Sequence, residues 1–76
     1  MRDPNRLDNF YNKMTQLHKA CFQDWRFGQL MMNFLGWVQN TKNRDPFFPE
    51  EDEMMDLFEE YCQENNYFGW ERKDTI

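Results

Sequence analysis

The chain has 76 residues, with 9 Lys and Arg against 14 Asp and Glu, and a formal net charge of −5 at pH 7. That length makes one domain, which buries only roughly 60–65% of its unfolded surface on folding. The negative balance argues against direct nucleic-acid binding, since phosphates would be repelled. The longest apolar run, Leu30 to Val38, is broken by Asn33 and Gly36 and falls well short of the roughly 20 residues of a membrane span.

A core this small has to be dense, and eight Phe, three Trp and three Tyr supply the material. Each aromatic side chain buries about 150–250 Å², and six Met fill the gaps. The only β-branched residues are Val38, Ile76, Thr15, Thr41 and Thr75, so strands lack their usual building blocks. The expected class is all-α: a compact three-helix bundle over residues 1–66 with a flexible C-terminal tail. Asp3, Asn5 and Asp8 near the N-terminus, with no apolar stretch among them, do not read as a secretory signal. With Cys21 and Cys62 as reduced, core-type thiols, the expected compartment is the cytoplasm.

The first helix is expected from about residue 4 to 21. Asp3 can cap it, Pro4 suits its first position, and Asp8 sits near the positive end of the dipole. Leu7, Phe10, Tyr11, Met14, Leu17, His18 and Cys21 then recur at spacings of three and four, forming one apolar stripe.

The second helix is expected over 25–39, capped by Asp24. Phe27, Leu30, Met31, Phe34, Leu35, Trp37 and Val38 give it a wide apolar face, consistent with a central helix that meets two neighbours. Gly28 and Gly36 each cost about 1 kcal/mol relative to Ala inside a helix, which points to close approach of a neighbouring helix. Met32 points away from the stripe and is expected to be exposed.

A polar loop, Asn40 to Pro46, follows, and Phe47 and Phe48 are expected to anchor it to the core. The third helix, expected over 49–64, opens with Pro49 and four acids. Its apolar stripe is Met54, Met55, Leu57, Phe58, Tyr61 and Cys62. Residues 67–76 show no helical period: three aromatics, Tyr67, Phe68 and Trp70, precede a polar end that is expected to be disordered.

Little of this supports catalysis. The chain has no serine. His18 and Cys21 can be neighbours on the first helix, but both sit on the apolar stripe, where nothing would supply donors to a developing oxyanion. Two thiols and one imidazole are too few for a closed tetrahedral zinc site. Neither GxGxxG nor GxxxxGK[ST] occurs around the glycines. The expectation is a non-enzymatic chain with no cofactor and no metal.

Charge is distributed unevenly. Residues 49–64 hold eight acids and no Lys or Arg, while the rest of the chain has nine basic against six acidic residues. Asp52–Asp56, Asp56–Glu60 and Glu60–Glu64 are like-charge i,i+4 pairs, each unfavourable by roughly 0.2–0.5 kcal/mol. Solubility and balance by Arg2, Arg6, Lys13, Lys19 and Arg26 can offset that cost, and so can a basic protein partner. The candidate partner-binding residues are therefore Asp56, Glu59, Glu60 and Glu64, with Tyr67, Phe68 and Trp70 at the rim. The alternative is an accessory protein of a phage or mobile element, whose acidic face competes for the nucleic-acid site of a host protein.

The segments RDPNRLDNFYNKM (2–14), DWRFGQLMMNFL (24–35) and DPFFPEEDEMMDLFEEY (45–61) resemble a group of small uncharacterised bacterial and prophage helical proteins, and more distantly the YihD-like proteins. The resemblance spans about residues 2–62. It implies a compact helical domain and brings no catalytic or binding residues. Asp3, Pro4, Arg6, Asp24, Arg26, Gly28, Gln29, Asp45, Pro46 and Phe47 match its pattern. Among these, Arg6, Arg26 and Gln29 are the hardest to explain as core, and internal ion pairing is their first expected role.

Overall fold

The starts of the first two helices are set by the short turns that precede them. The N-cap of α1 is Asn5, not Asp3 as expected, and no side chain closes that cap; the Asp3 carboxylate instead accepts the Asn5 N–H at 3.0 Å across Pro4, an Asx turn ahead of the helix. Arg6, Leu7 and Asp8 then donate three residues back at 3.1–3.2 Å, to Asp3, Pro4 and Asn5. This tight first turn leads into a regular α1, Arg6–Cys21. The computed structural model describes residues 2–65, and within them the chain folds into three helices, the others being α2 (Phe27–Asn40) and α3 (Glu51–Asn65). The class is all-α, a three-helix bundle.

The start of α2 differs from expectation. Asp24 is exposed and caps nothing; Arg26, in extended backbone, is the N-cap. The Gln29 side chain reaches back to accept the Arg26 N–H at 2.8 Å, which is half of a capping box. The cause is a tight turn over the preceding residues. Trp25 N–H donates to the Phe22 carbonyl at 2.9 Å, and the two rings pack at 4.7 Å. His18 Nε2 donates to the Trp25 carbonyl, also at 2.9 Å. With residues 22–25 held in this way, the helix can start only after them.

A second Asp-Pro dipeptide repeats the device of the first. Asp45 accepts the Phe47 N–H at 3.0 Å across Pro46, an Asx turn that bends the chain toward α3. Just before it, Asn43 takes the left-handed conformation, φ 58°, which Asn tolerates better than most residues. Arg44 N–H then closes back on the Val38 carbonyl at 3.1 Å.

The central helix is α3, not α2. It packs against both other helices and buries Met55, Leu57, Phe58, Tyr61 and Cys62, whereas α2 buries Leu30, Phe34 and Val38, and α1 buries no residue fully. Phe10, Met14, Leu17 and Cys21 of α1 pack on the rim of this core, and Phe22 closes it. The wide apolar arc of α2 misled because part of it faces outward: Phe27 is 70% exposed and Met32, as expected, 79%. Among the described residues nothing lies within 4 Å of a Cβ built at Gly28 or Gly36, so neither of the other two helices accounts for these glycines. Phe47 and Phe48 do not anchor the loop. They are 83% and 70% exposed and pack edge to face on each other at 5.1 Å, because the Asx turn aims them away from the bundle.

Candidate partner-binding surface

The acids of α3 do not stand on a free face. Because α3 has a neighbour on either flank, basic side chains come at it from both sides. From the α1 side, Arg2 forks onto Glu50, with Nε at 2.9 Å; Arg6 Nε meets Glu51 at 2.8 Å and Lys13 meets Glu59 at 3.1 Å. From the loop after α2, Lys42 reaches Glu60 at 2.7 Å and Arg44 reaches Glu53 at 2.6 Å. Arg6 and Lys13 are seven residues apart and their partners eight, in the same order, so α1 and α3 lie side by side and run in the same direction.

The guanidinium of Arg2 holds the Glu50 carboxyl below the usual carboxylate range, and its hydrogen bonds outweigh the opposing desolvation. The Arg6 hydrogen bond does the same for Glu51. Arg6 also donates to the Asp3 carbonyl at 3.1 Å, so this arginine ties the turn before α1 to the start of α3. Internal pairing is its role, as expected. Arg26 makes no ion pair among the described residues, and Gln29 is a cap.

The four acidic candidates therefore separate. Glu59 and Glu60 are half-buried beneath Lys13 and Lys42. Glu64 accepts the Trp37 indole N–H at 3.2 Å, while Lys42 lies over the same ring, 5.7 Å from its centre. Asp56 is exposed and forms no ion pair among the described residues. Tyr67, Phe68 and Trp70 lie outside the described residues. Lys42 and Arg44 were missed as balancing charges, because their sequence distance from α3 hides a loop that folds back along it. Lys19, which was expected to share that work, makes no ion pair among the described residues.

Asp56 lines a groove of about 600 Å³ between the first half of α1 and the start of α3. The floor is apolar, made by Phe10 and the buried Met55. One wall carries Arg6 and Lys13, the other Glu50, Glu51, Asp52 and Asp56. Once the ion pairs are formed, Asp52 and Asp56 are the carboxylates left over. Four residues apart on one helix, they share a face. The groove thus presents an apolar strip beside two unneutralised negative charges. This site was only half legible in the sequence: Asp56 was named, but Asp52 and Phe10 could be joined to it only by the pairing of α1 with α3.

Elsewhere the arrangement favours inert chemistry. Cys62 is fully buried and Cys21 partly so, with the two thiols within hydrogen-bond reach of each other. Burial pushes the Cys62 thiol far above its usual range, and the neighbouring Cys21 adds to that shift. Burial also raises Cys21, its bond to Cys62 acting the other way. Among the described residues no three His, Cys, Asp or Glu side chains converge as metal ligands, and no helix is long and apolar enough to cross a membrane. No family model, no curated protein and no solved structure matches this chain.

Proposed function

We propose that this chain is a non-enzymatic protein-binding module and that the α1–α3 groove is its contact surface. The observation that carries the reading is the pair Asp52 and Asp56. The other acids between Glu50 and Glu60 are engaged by Arg2, Arg6, Lys13, Lys42 and Arg44, and these two flank the one side of α3 that also exposes an apolar floor. A partner suited to it is a basic segment that places an aliphatic or aromatic anchor over Phe10 and Met55 and a Lys or Arg against each aspartate. Charge pairs of this kind set orientation and association rate more than raw affinity. The same reading takes the chain to be a cytoplasmic protein of a bacterium or prophage, on the strength of the sequence motifs and the two unpaired thiols.

Selection of binders from a random peptide library on the immobilised protein tests this. Enriched peptides should combine Lys or Arg with a large apolar residue, and should lose binding as salt rises. The double variant Asp52→Lys, Asp56→Lys should release them. Peptides of no common charge, or peptides that the double variant binds equally well, overturn the reading.

A further inference from the structure

The two cysteines of the chain stand together at one end of the α1–α3 seam. On α1 the residues packed against the core follow at spacings of four and three, Phe10, Met14, Leu17 and Cys21, and the last of them ends the helix. On α3 the buried stripe Met55, Phe58 and Cys62 runs beside it in the same direction. The stripes meet at their C-terminal ends. Phe22, next to Cys21, stacks on Tyr61, next to Cys62, with ring centres 5.5 Å apart. The two sulfurs are themselves within hydrogen-bond reach. They differ in access: Cys62 is wholly enclosed, whereas Cys21 keeps part of its surface in solvent. Any small apolar residue could fill either position; what cysteine alone adds is a bond between them.

We infer that Cys21 and Cys62 form a reversible disulfide when the protein meets a hydroperoxide, and that the bond clamps α1 onto α3. The order of events follows from access, since a peroxide is small enough to reach the partly exposed Cys21. Its thiolate attacks one peroxide oxygen: an S–O bond forms, the O–O bond breaks, and the departing hydroxide takes a proton from water. Cys21 is left as a sulfenic acid. The Cys62 sulfur then attacks the Cys21 sulfur. An S–S bond forms, the S–O bond breaks, and the departing hydroxide takes the Cys62 proton and leaves as water. The two thiols give up two electrons, and one hydrogen peroxide is reduced to two waters. Burial raises the Cys21 thiol, while the hydrogen bond from Cys62 favours its thiolate. Burial raises Cys62 strongly, and the Cys21 charge adds to that. Cys21 is therefore the sulfur that ionises first and Cys62 the one that resolves it. Because both stay largely protonated, the reaction takes on the order of minutes to hours. The clamp acts whatever the groove binds, on a seam otherwise held by the Arg6 and Lys13 ion pairs over an apolar rim.

Treatment of the full chain with hydrogen peroxide, followed by intact mass and peptide mapping without reductant, tests the inference. The expected product is a monomer lighter by two hydrogen atoms, with Cys21 joined to Cys62, that dithiothreitol restores. It should form faster than a bulky maleimide labels Cys62, because that labelling waits for unfolding and the disulfide does not. Closing the chain from 21 to 62 should raise the thermal midpoint by roughly 10 °C or more. Cys21→Ala, at the partly exposed position, should fold and give no such product. Cys62→Ala should leave a Cys21 sulfenic acid that dimedone traps; if circular dichroism shows that this core variant does not fold, Cys21→Ala and the natural chain decide the matter. A product that is only an intermolecular dimer overturns the inference, as does Cys21 carried on to sulfinic acid while Cys62 stays free. So does a disulfide that forms no faster than Cys62 is labelled, or one that leaves the thermal midpoint unchanged or lower.

Discussion

The two seams of α3 are built from different interactions. Against α2 it is aromatic: Phe34 meets Phe58 edge to face at 4.9 Å and Tyr61 at 5.5 Å, and Trp37 packs on Tyr61 at 5.2 Å. Against α1 it is ionic at the edges, with Arg2, Arg6 and Lys13 reaching over an apolar rim in which no α1 residue is fully buried. Burial of an aromatic removes it from water at about 25 cal/mol per Å², whereas an exposed ion pair contributes about 0–1 kcal/mol. On these figures the α2–α3 seam is expected to hold the larger share of the stability and α1 to be the more weakly held member, even though α1 runs alongside more of α3 than α2 does. The weaker seam is also the one that contains the groove, as expected if a binding surface is drawn from the less stable part of a fold.

The sharpest way to break this comparison is to truncate the stronger seam. Phe58→Ala, at a fully buried position, should cost about 3–5 kcal/mol, much of the stability of a domain this size. Thermal or urea unfolding measures it, and a cost below about 1 kcal/mol would show that the aromatic seam is not the main support. Hydrogen exchange comes next. Amides of α1 should exchange faster than those of α3, by about tenfold for each 1.4 kcal/mol of difference in local opening; equal protection in the two helices would contradict a weakly held α1.

Acid should weaken the ion pairs that Glu50 and Glu51 make with α1 and the turn before it. Glu50 and Glu51 have lowered folded-state values, so their contribution is present above the usual glutamate value near 4.3 and is lost as pH falls through their folded values. Arg2→Gln with Arg6→Gln should flatten the pH dependence of stability in that window, and an unchanged slope would count against these pairs. The smallest effect is expected from Lys13→Ala, which opens an exposed ion pair and should change stability by about 0.5 kcal/mol or less. The thiols give a separate reading of the core. Cys62 should resist thiol reagents at pH 8 in the folded state and react at the rate of unfolding, because burial keeps it protonated.

Local chemistry made much of the fold legible, and long-range chemistry hid the rest. The helix number, the turn at Asp3-Pro4 and the apolar stripe of α3 follow from spacing and from residues a few positions apart. The start of α2 was misplaced because a tertiary turn, with Phe22, Trp25 and His18 in contact, takes up the residues that Asp24 would have capped. Phe47 and Phe48 look like core by hydropathy, yet the Asx turn at Asp45 decides where they point. The choice of α3 as centre depends on which helix is flanked on both sides, and no single-helix periodicity encodes that. For the same reason the acids of α3 look like one surface in sequence, but divide in space between those held by Lys13, Lys42 and Arg44 and the two left at the groove.

The shared direction of α1 and α3 has a consequence for how the molecule comes into being. Arg6 and Glu51 are 45 positions apart, so that seam closes a long loop, while α2 and α3 are joined by a short connection. Closing the longer loop has the larger entropic cost, and local contacts form sooner. On a ribosome, which delivers the N-terminus first, α1 emerges with its apolar stripe exposed and its main packing partner not yet made. Of the three helices the one synthesised earliest is thus the last to find its place, and until α3 is released its stripe is open to whatever chaperone or neighbouring chain is near.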